Sequence, residues 1–143
     1  MRADLLDVNV WVALAHEDHA HHALAKRYWE NSATETIAFC RLTMLGFFRI
    51  ITNGAAMSGQ PFNAPEAWEL YRSFLAAPNV TLVHEPARFE QRLAEMSDKK
   101  SFPSARWTDC ALAAWALATG CRIVSFDKGF SQFEKIGFLL IAD

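Results

Sequence analysis

Apolar residues occur along this chain in short blocks, and two spacings alternate. Continuous runs at residues 3–7, 36–40, 80–84, 123–126 and 138–141 predict buried strands. Helical spacing fills the intervals. Residues 8–15 stay apolar and predict a first helix. Asp18 is placed to cap a second, reaching about residue 30, with Ala20, Ala23, Leu24 and Tyr28 as its buried stripe. A third is expected from about Thr43 to Thr52. Asn63 and Glu66 form a capping-box pattern for a fourth, whose inner face is Ala67, Leu70, Tyr71 and Phe74 and which Pro78 stops. Residues 87–96 are a short amphipathic helix. Residues 108–119 are almost wholly apolar, so that helix must be covered on more than one side, and Gly120 ends it. Residues 54–61 and the basic stretch 97–106 are loops. Strands alternating with helices predict an α/β fold with a central parallel sheet of about five strands, covered on both faces. No repeat or low-complexity tract interrupts it, so residues 1–143 are read as a single domain.

Composition narrows the classes. The chain has 143 residues, 52% hydrophobic and 21% charged, with a net charge of −2, which suits a globular protein and supplies no bulk basic field for nucleic acid. Any RNA contact must then rest on local patches. Three cysteines, Cys40, Cys110 and Cys121, are too few and odd for a disulfide framework and suit a reducing cytoplasm. Neither a signal peptide nor a membrane span is recognisable.

Candidate chemistry lies in three aspartates. Asp7 ends the first strand, Asp109 stands in the first turn of the apolar late helix, and Asp127 follows the fourth strand. Open α/β sheets bind ligands beyond the carboxyl ends of their strands. If the first and fourth strands are central neighbours, the three acids meet there. Each has an ordinary alternative: Asp7 as a helix cap, Asp109 favouring a helix dipole, Asp127 in a turn. Together they ask for a hard cation, Mg²⁺ or Mn²⁺, and point to phosphodiester chemistry.

The wording around these acids resembles a known family. Leu-Leu-Asp-Val-Asn-Val-Trp-Val-Ala-Leu at the start, Cys-Arg-Leu-Thr-Met-Leu-Gly-Phe-Phe-Arg-Ile-Ile-Thr-Asn in the middle, and Trp-Thr-Asp-Cys-Ala-Leu-Ala-Ala-Trp-Ala followed by Ile-Val-Ser-Phe-Asp-Lys-Gly-Phe are similar to PIN domains. The likeness is to VapC toxins of type II toxin–antitoxin pairs. It implies a three-layer α/β/α PIN-like fold. It also implies a Mg²⁺-dependent endoribonuclease that hydrolyses RNA with a Mg-activated water, binds a VapB-like antitoxin and forms a homodimer. Asp7, Asp109 and Asp127 match the family's acids as catalytic and metal-holding residues. Asn9, Thr108 and Ser125 would support them. Met44 occupies the place of a usual glutamate, and methionine is no ligand for a hard cation. The alternative is therefore a catalytically weakened PIN-like module that binds RNA or an antitoxin without cleaving.

Other residues invite competing readings. Arg49, Lys99, Lys100, Arg106 and Lys128 are candidate RNA contacts, each also explicable as solvated charge. His16, His19, His21 and His22 suggest a transition-metal site but supply an incomplete ligand set, so a solvated His-rich first turn is preferred. Cys40 or Cys110 with His84 would make a nucleophile pair, although nothing local marks either thiol as activated. A phosphatase with Asp-x-Asp after its first strand is disfavoured by Asp7-Val8-Asn9. The tryptophans are assigned to the core or, on the first two helices, to a dimer seam.

Overall fold

The computed structural model describes residues 2–142. Strands β1 (Ala3–Leu6), β2 (Thr36–Phe39), β3 (Val80–Leu82), β4 (Arg122–Ser125) and β5 (Gly137–Leu140) form one sheet in the order β3-β2-β1-β4-β5. Every pairing is parallel. Helices α1 (Val8–Ala15), α2 (His22–Asn31), α3 (Arg41–Ile51), α4 (Ala64–Ala76), α5 (Phe89–Met96) and α6 (Trp107–Thr119) make the crossovers. The expected adjacency of the first and fourth strands is present, with Leu5 opposite Ile123 and Leu6 opposite Val124. Among the described residues, no helix is long and apolar enough to cross a membrane.

Strand periodicity sorts the core into two layers. Leu6, Phe39 and Val124 face one side, with Val10, Trp11, Phe47 and Ile51. Leu5, Ala38 and Ile123 face the other, with Leu112, Trp115 and Phe130. Side chains on a strand alternate between faces, so each strand supplies both layers, as a sheet covered on both sides requires. In the first layer Trp11 stacks on Phe39 at 3.7 Å between ring centroids and is fully buried. It belongs to the core, not to a subunit seam. Helix α6 is buried continuously from Cys110 to Ala116, which explains its lack of a polar face. Gly120 closes it at φ +80°, a conformation glycine adopts without a Cβ clash.

The structure corrects the second helix. It begins at His22 after a cap residue, His21, that makes no side-chain cap bond, and Asp18 is exposed in the preceding turn. Backbone bonds from His19 to His16 and from His22 to His19 close that turn, and His19 Nδ1 accepts the His21 N–H. Starting later, the helix buries Ala25 and Tyr28 and leaves Ala20 and Ala23 exposed. Helix α3 starts earlier than expected, at Arg41, because the Thr43 hydroxyl accepts the Cys40 N–H at 3.0 Å. A 3-10 turn at Lys128–Gln132 was not anticipated.

A polar cluster missed in the sequence sits inside β1. Asp4 is fully buried. Its carboxylate accepts Arg122 Nε at 2.8 Å and Nη2 at 2.9 Å, the Tyr28 hydroxyl at 2.5 Å and the Thr34 N–H at 3.1 Å. Fork-to-carboxylate pairing of this kind is the strong form of ion pair.

Helices α1 and α3 approach closely at Gly46, where an added Cβ would lie 2.6 Å from Val8 Cγ2. Gly46→Ala is expected to destabilise the fold by about 1–3 kcal/mol, despite alanine's better helix propensity. Denaturant melts of Gly46→Ala, Val8→Ala and the double variant test this. The double variant should recover part of the loss, and additive losses would rule out the contact.

Candidate active site

Asp7 stands where β1 becomes α1. Its N–H donates to the Val124 carbonyl at 2.9 Å, so the sheet ladder fixes its backbone. Its Oδ1 accepts the Val8 N–H at 2.8 Å and caps the helix. The capping alternative is therefore real, yet it uses one oxygen. The other, Oδ2, accepts the Ser125 hydroxyl at 2.7 Å.

Ser125 is the hub of the site. It ends β4 beside β1 and is fully buried. Its Oγ donates to Asp7, accepts Asn9 Nδ2 at 3.2 Å and accepts the Asp127 N–H at 2.9 Å. One donor and two acceptors exhaust a hydroxyl. The register Leu6 opposite Val124 creates this contact, since it sets the next residues, Asp7 and Ser125, side by side. Asn9 also accepts the Phe126 N–H at 3.4 Å. Asp127 is exposed, and its Oδ1 accepts the Gly129 N–H at 2.8 Å to start the 3-10 turn. Asp109, in the first turn of α6, is half-buried and has no hydrogen-bond partner among the described residues. Thr108 is exposed.

The three carboxylates feel one another. Burial pushes the Asp7 carboxyl above the usual range, and the charge of Asp127 adds to this while the Ser125 and Val8 hydrogen bonds oppose it. Burial also raises Asp109, with the charges of Asp7 and Asp127 next, against the pull of Arg106. As they stand, no three His, Cys, Asp or Glu side chains among the described residues converge closely enough to hold a metal ion. The donor set still fits a hard cation. It consists of carboxylate and amide oxygens, each oxygen of Asp7 accepts a single hydrogen bond and keeps a lone pair, and Asp109 is without a protein partner.

These shifts have a sign. With folded-state values raised, the folded chain binds more protons than the unfolded one between the ordinary and the raised pKa, so stability falls as pH rises through that window. Asp109→Asn removes one such charge without breaking a hydrogen bond. It is expected to melt above the parent at about pH 7, with the difference vanishing near about pH 3, where both states are protonated. A variant that melts lower at neutral pH would contradict the repulsion.

Met44 is buried in the first core layer, where its Sδ accepts Arg41 Nη1 at 3.1 Å. No oxygen donor comes from that position. Arg106 lies beside Asp109, and its guanidinium donates to Gln132. Lys99 is close enough to lower the Cys110 thiol against the effect of burial. Lys100 and Lys128 are exposed. Arg49 lies two turns down α3 and lines an apolar groove with Leu45, Phe48 and Trp68. The histidines form no metal cluster: His22 Nδ1 bonds the Ala13 carbonyl at 2.8 Å, and His21 stacks on Phe126 at 4.9 Å, next to Asp127. Burial raises the Cys40 and Cys110 thiols, and His84 bonds neither, which removes the nucleophile-pair alternative. The wall that His21 makes beside Asp127 had no signal in the sequence.

Comparison with known proteins agrees with this architecture. The PIN domain family matches residues 5–136. Ribonuclease VapC41 of Mycobacterium tuberculosis is 35% identical over 144 aligned positions, covering 96% of this chain and 98% of that protein. Among solved structures, DNA-bound VapBC from Salmonella typhimurium superposes with a TM-score of 0.70 at 14% identity, covering 99% of this chain and 100% of the other. VapC20 of M. tuberculosis, described as a sarcin-ricin loop cleaving toxin, superposes with a TM-score of 0.65 at 18% identity, covering 90% of this chain and 93% of the other.

Proposed function

The chain belongs to the PIN domain family, among the VapC-type ribonucleases, and we propose that it is the endoribonuclease toxin of a toxin–antitoxin pair, using a divalent cation held by Asp7, Asp109 and Asp127. One observation carries the reading. The buried Ser125 hydroxyl ties Asp7 to the backbone of Asp127, and Asp109 senses the charge of both. Acids from distant parts of the sequence that raise one another's carboxyls carry an electrostatic cost that a purely structural role does not require, which supports this reading.

Each residue has a part. Ser125, itself held by Asn9, fixes the rotamer of Asp7: one carboxylate oxygen accepts the Ser125 hydroxyl, the other caps α1, and each keeps a lone pair for a cation. Asp109 supplies a carboxylate that no protein donor claims. Asp127, the exposed acid, would hold the cation or orient a water beside it. Arg106 brings positive charge toward an incoming phosphate. Mg²⁺, or Mn²⁺, bound by these oxygens would offset the phosphodiester's charge and lower the pKa of a water. With methionine at position 44, the donor set supports one cation more readily than two. The family supports two further partners: a VapB-like antitoxin, reaching a basic side chain into the acids, and a second copy of the chain.

Buried Met44 favours one other reading, a module that binds RNA or antitoxin without cutting. The two separate when purified protein is incubated with total RNA in Mg²⁺, in Mn²⁺ and in chelator, and the 5′ ends are mapped. Discrete new ends that require a divalent ion support the nuclease. Binding without new ends supports the module.

A further inference from the structure

Four basic residues collect in one groove. Helix α5, the loop of residues 97–103, Arg106 before α6, Leu117 near the end of that helix and residues 132–135 enclose an open trough of about 860 Å³. Arg92, Lys99, Arg106 and Lys135 line it, against Glu95 and Glu134. That is a local positive excess in a chain of net charge −2. Glu95 is already matched by Arg92 at 3.3 Å. Among the described residues, no carboxylate lies within ion-pair distance of Lys99, Arg106 or Lys135.

Aromatic faces interleave with these cations. The Arg106 guanidinium lies 5.3 Å over the ring of Phe133. Phe102, in the groove wall, packs against Trp107 at 4.6 Å, and Trp107 is 50% exposed two positions before Asp109. Lys135 takes φ +69°, a left-handed conformation disfavoured for a residue with a Cβ, and strain of this kind clusters at functional sites. Arg106 joins groove to site, since it lines the first and stands three positions before Asp109 at the entry to α6.

We infer that this groove seats a single-stranded flank of the RNA substrate, with phosphates following Lys99, Arg106 and Lys135 and a base stacked on Trp107. The inference rests on the nuclease reading above and extends it to substrate selection. Cations beside an exposed ring suit an unpaired strand, whose backbone is anionic and whose bases are free to stack. Duplex would present no free base face to Trp107, and an acidic polypeptide would gain nothing from it.

The test titrates a short 5′-fluorescein-labelled single-stranded RNA of mixed sequence with the Asp7→Asn protein across a salt series, then repeats it with Lys99→Ala plus Lys135→Gly, and separately with Trp107→Ala, added. Removing two phosphate contacts should flatten the slope of log K against log salt by about 1.4. Trp107→Ala should weaken binding about tenfold, with Trp107→Phe restoring most of it. Lys135→Gly relieves the left-handed strain and should melt at or above the parent temperature, so lost affinity there cannot come from unfolding. Unchanged slope and affinity in a protein that binds RNA would overturn the groove and leave the nuclease reading standing. No RNA binding by the parent, together with no cleavage by the native chain, would remove both. Equal loss of affinity for poly-glutamate would make this an acidic-polypeptide site and overturn the assignment to RNA.

Discussion

Asp7→Asn is expected to lower divalent-dependent RNA cleavage by about 10²–10³-fold, the scale on which losing one group that stabilises developing charge is felt, while leaving the protein folded. Asparagine keeps an oxygen for the Val8 N–H, so the cap of α1 survives. What disappears is the negative charge and the oxygen that accepts the Ser125 hydroxyl. Because burial raises the Asp7 carboxyl, removing its charge relieves a desolvation cost at neutral pH that offsets the orphaned Ser125 hydroxyl, and the variant should stay folded and melt close to the parent. Lost activity with retained stability is what distinguishes a functional acid from a structural one. Ser125→Ala provides the companion measurement. It leaves the acids in place but frees Asp7 and the Asp127 N–H from their shared partner. A positioning residue of this kind is worth about 10–100-fold. Initial cleavage rates in Mg²⁺, paired with thermal melts, decide both. Cleavage by Asp7→Asn above about a tenth of the native rate would take Asp7 out of the mechanism.

The second large effect concerns stability. Arg122→Ala is expected to cost about 3 kcal/mol, the low end for breaking a buried ion pair, because the Arg122 side chain is 32% exposed and partly screened while Asp4 is fully buried. For a chain of 143 residues this is about 10 °C in Tm. The cost comes from the partner left behind. Without the guanidinium, Asp4 retains only the Tyr28 hydroxyl and the Thr34 N–H in a site closed to water. The same geometry holds the Tyr28 hydroxyl well above its usual pKa, through burial first and then the hydrogen bond and charge of Asp4. Asp4→Leu combined with Arg122→Leu should lose less than Arg122→Ala alone, since no charge is stranded. Urea denaturation of the three proteins is sufficient. A loss under about 1 kcal/mol for Arg122→Ala would mean that solvent reaches Asp4 once the guanidinium is gone.

Much of the fold could be read along the chain because it depends on short-range rules. Alternating strand and helix spacing implied a parallel sheet, the Asn63–Glu66 capping box formed as the pattern requires, and Gly120 ends α6 in the left-handed conformation. The central placement of β1 and β4 was inferred from acids at their ends, and the strand order agrees. Local rules failed where a neighbour in space replaced a neighbour in sequence. Asp18 is a good cap by residue type, but the turn that His19 organises consumed that segment and moved the start of α2. Cys40 is a poor cap by type, yet Thr43 supplied the missing oxygen.

By itself the sequence determined which segments become strands and helices, and that acids stand at strand ends. Those properties reside in spacings of a few residues and in single side-chain chemistries. Only the tertiary structure decided that Ser125 joins Asp7 to Asp127, that Arg122 neutralises Asp4, and that Arg92, Lys99, Arg106 and Lys135 share a groove. The reason is physical. Ser125 and Asp7 are 118 positions apart, as are Arg122 and Asp4, and what brings each pair together is the register of β1 on β4. Register is set by the packing of two apolar layers across the whole sheet, which no local window contains.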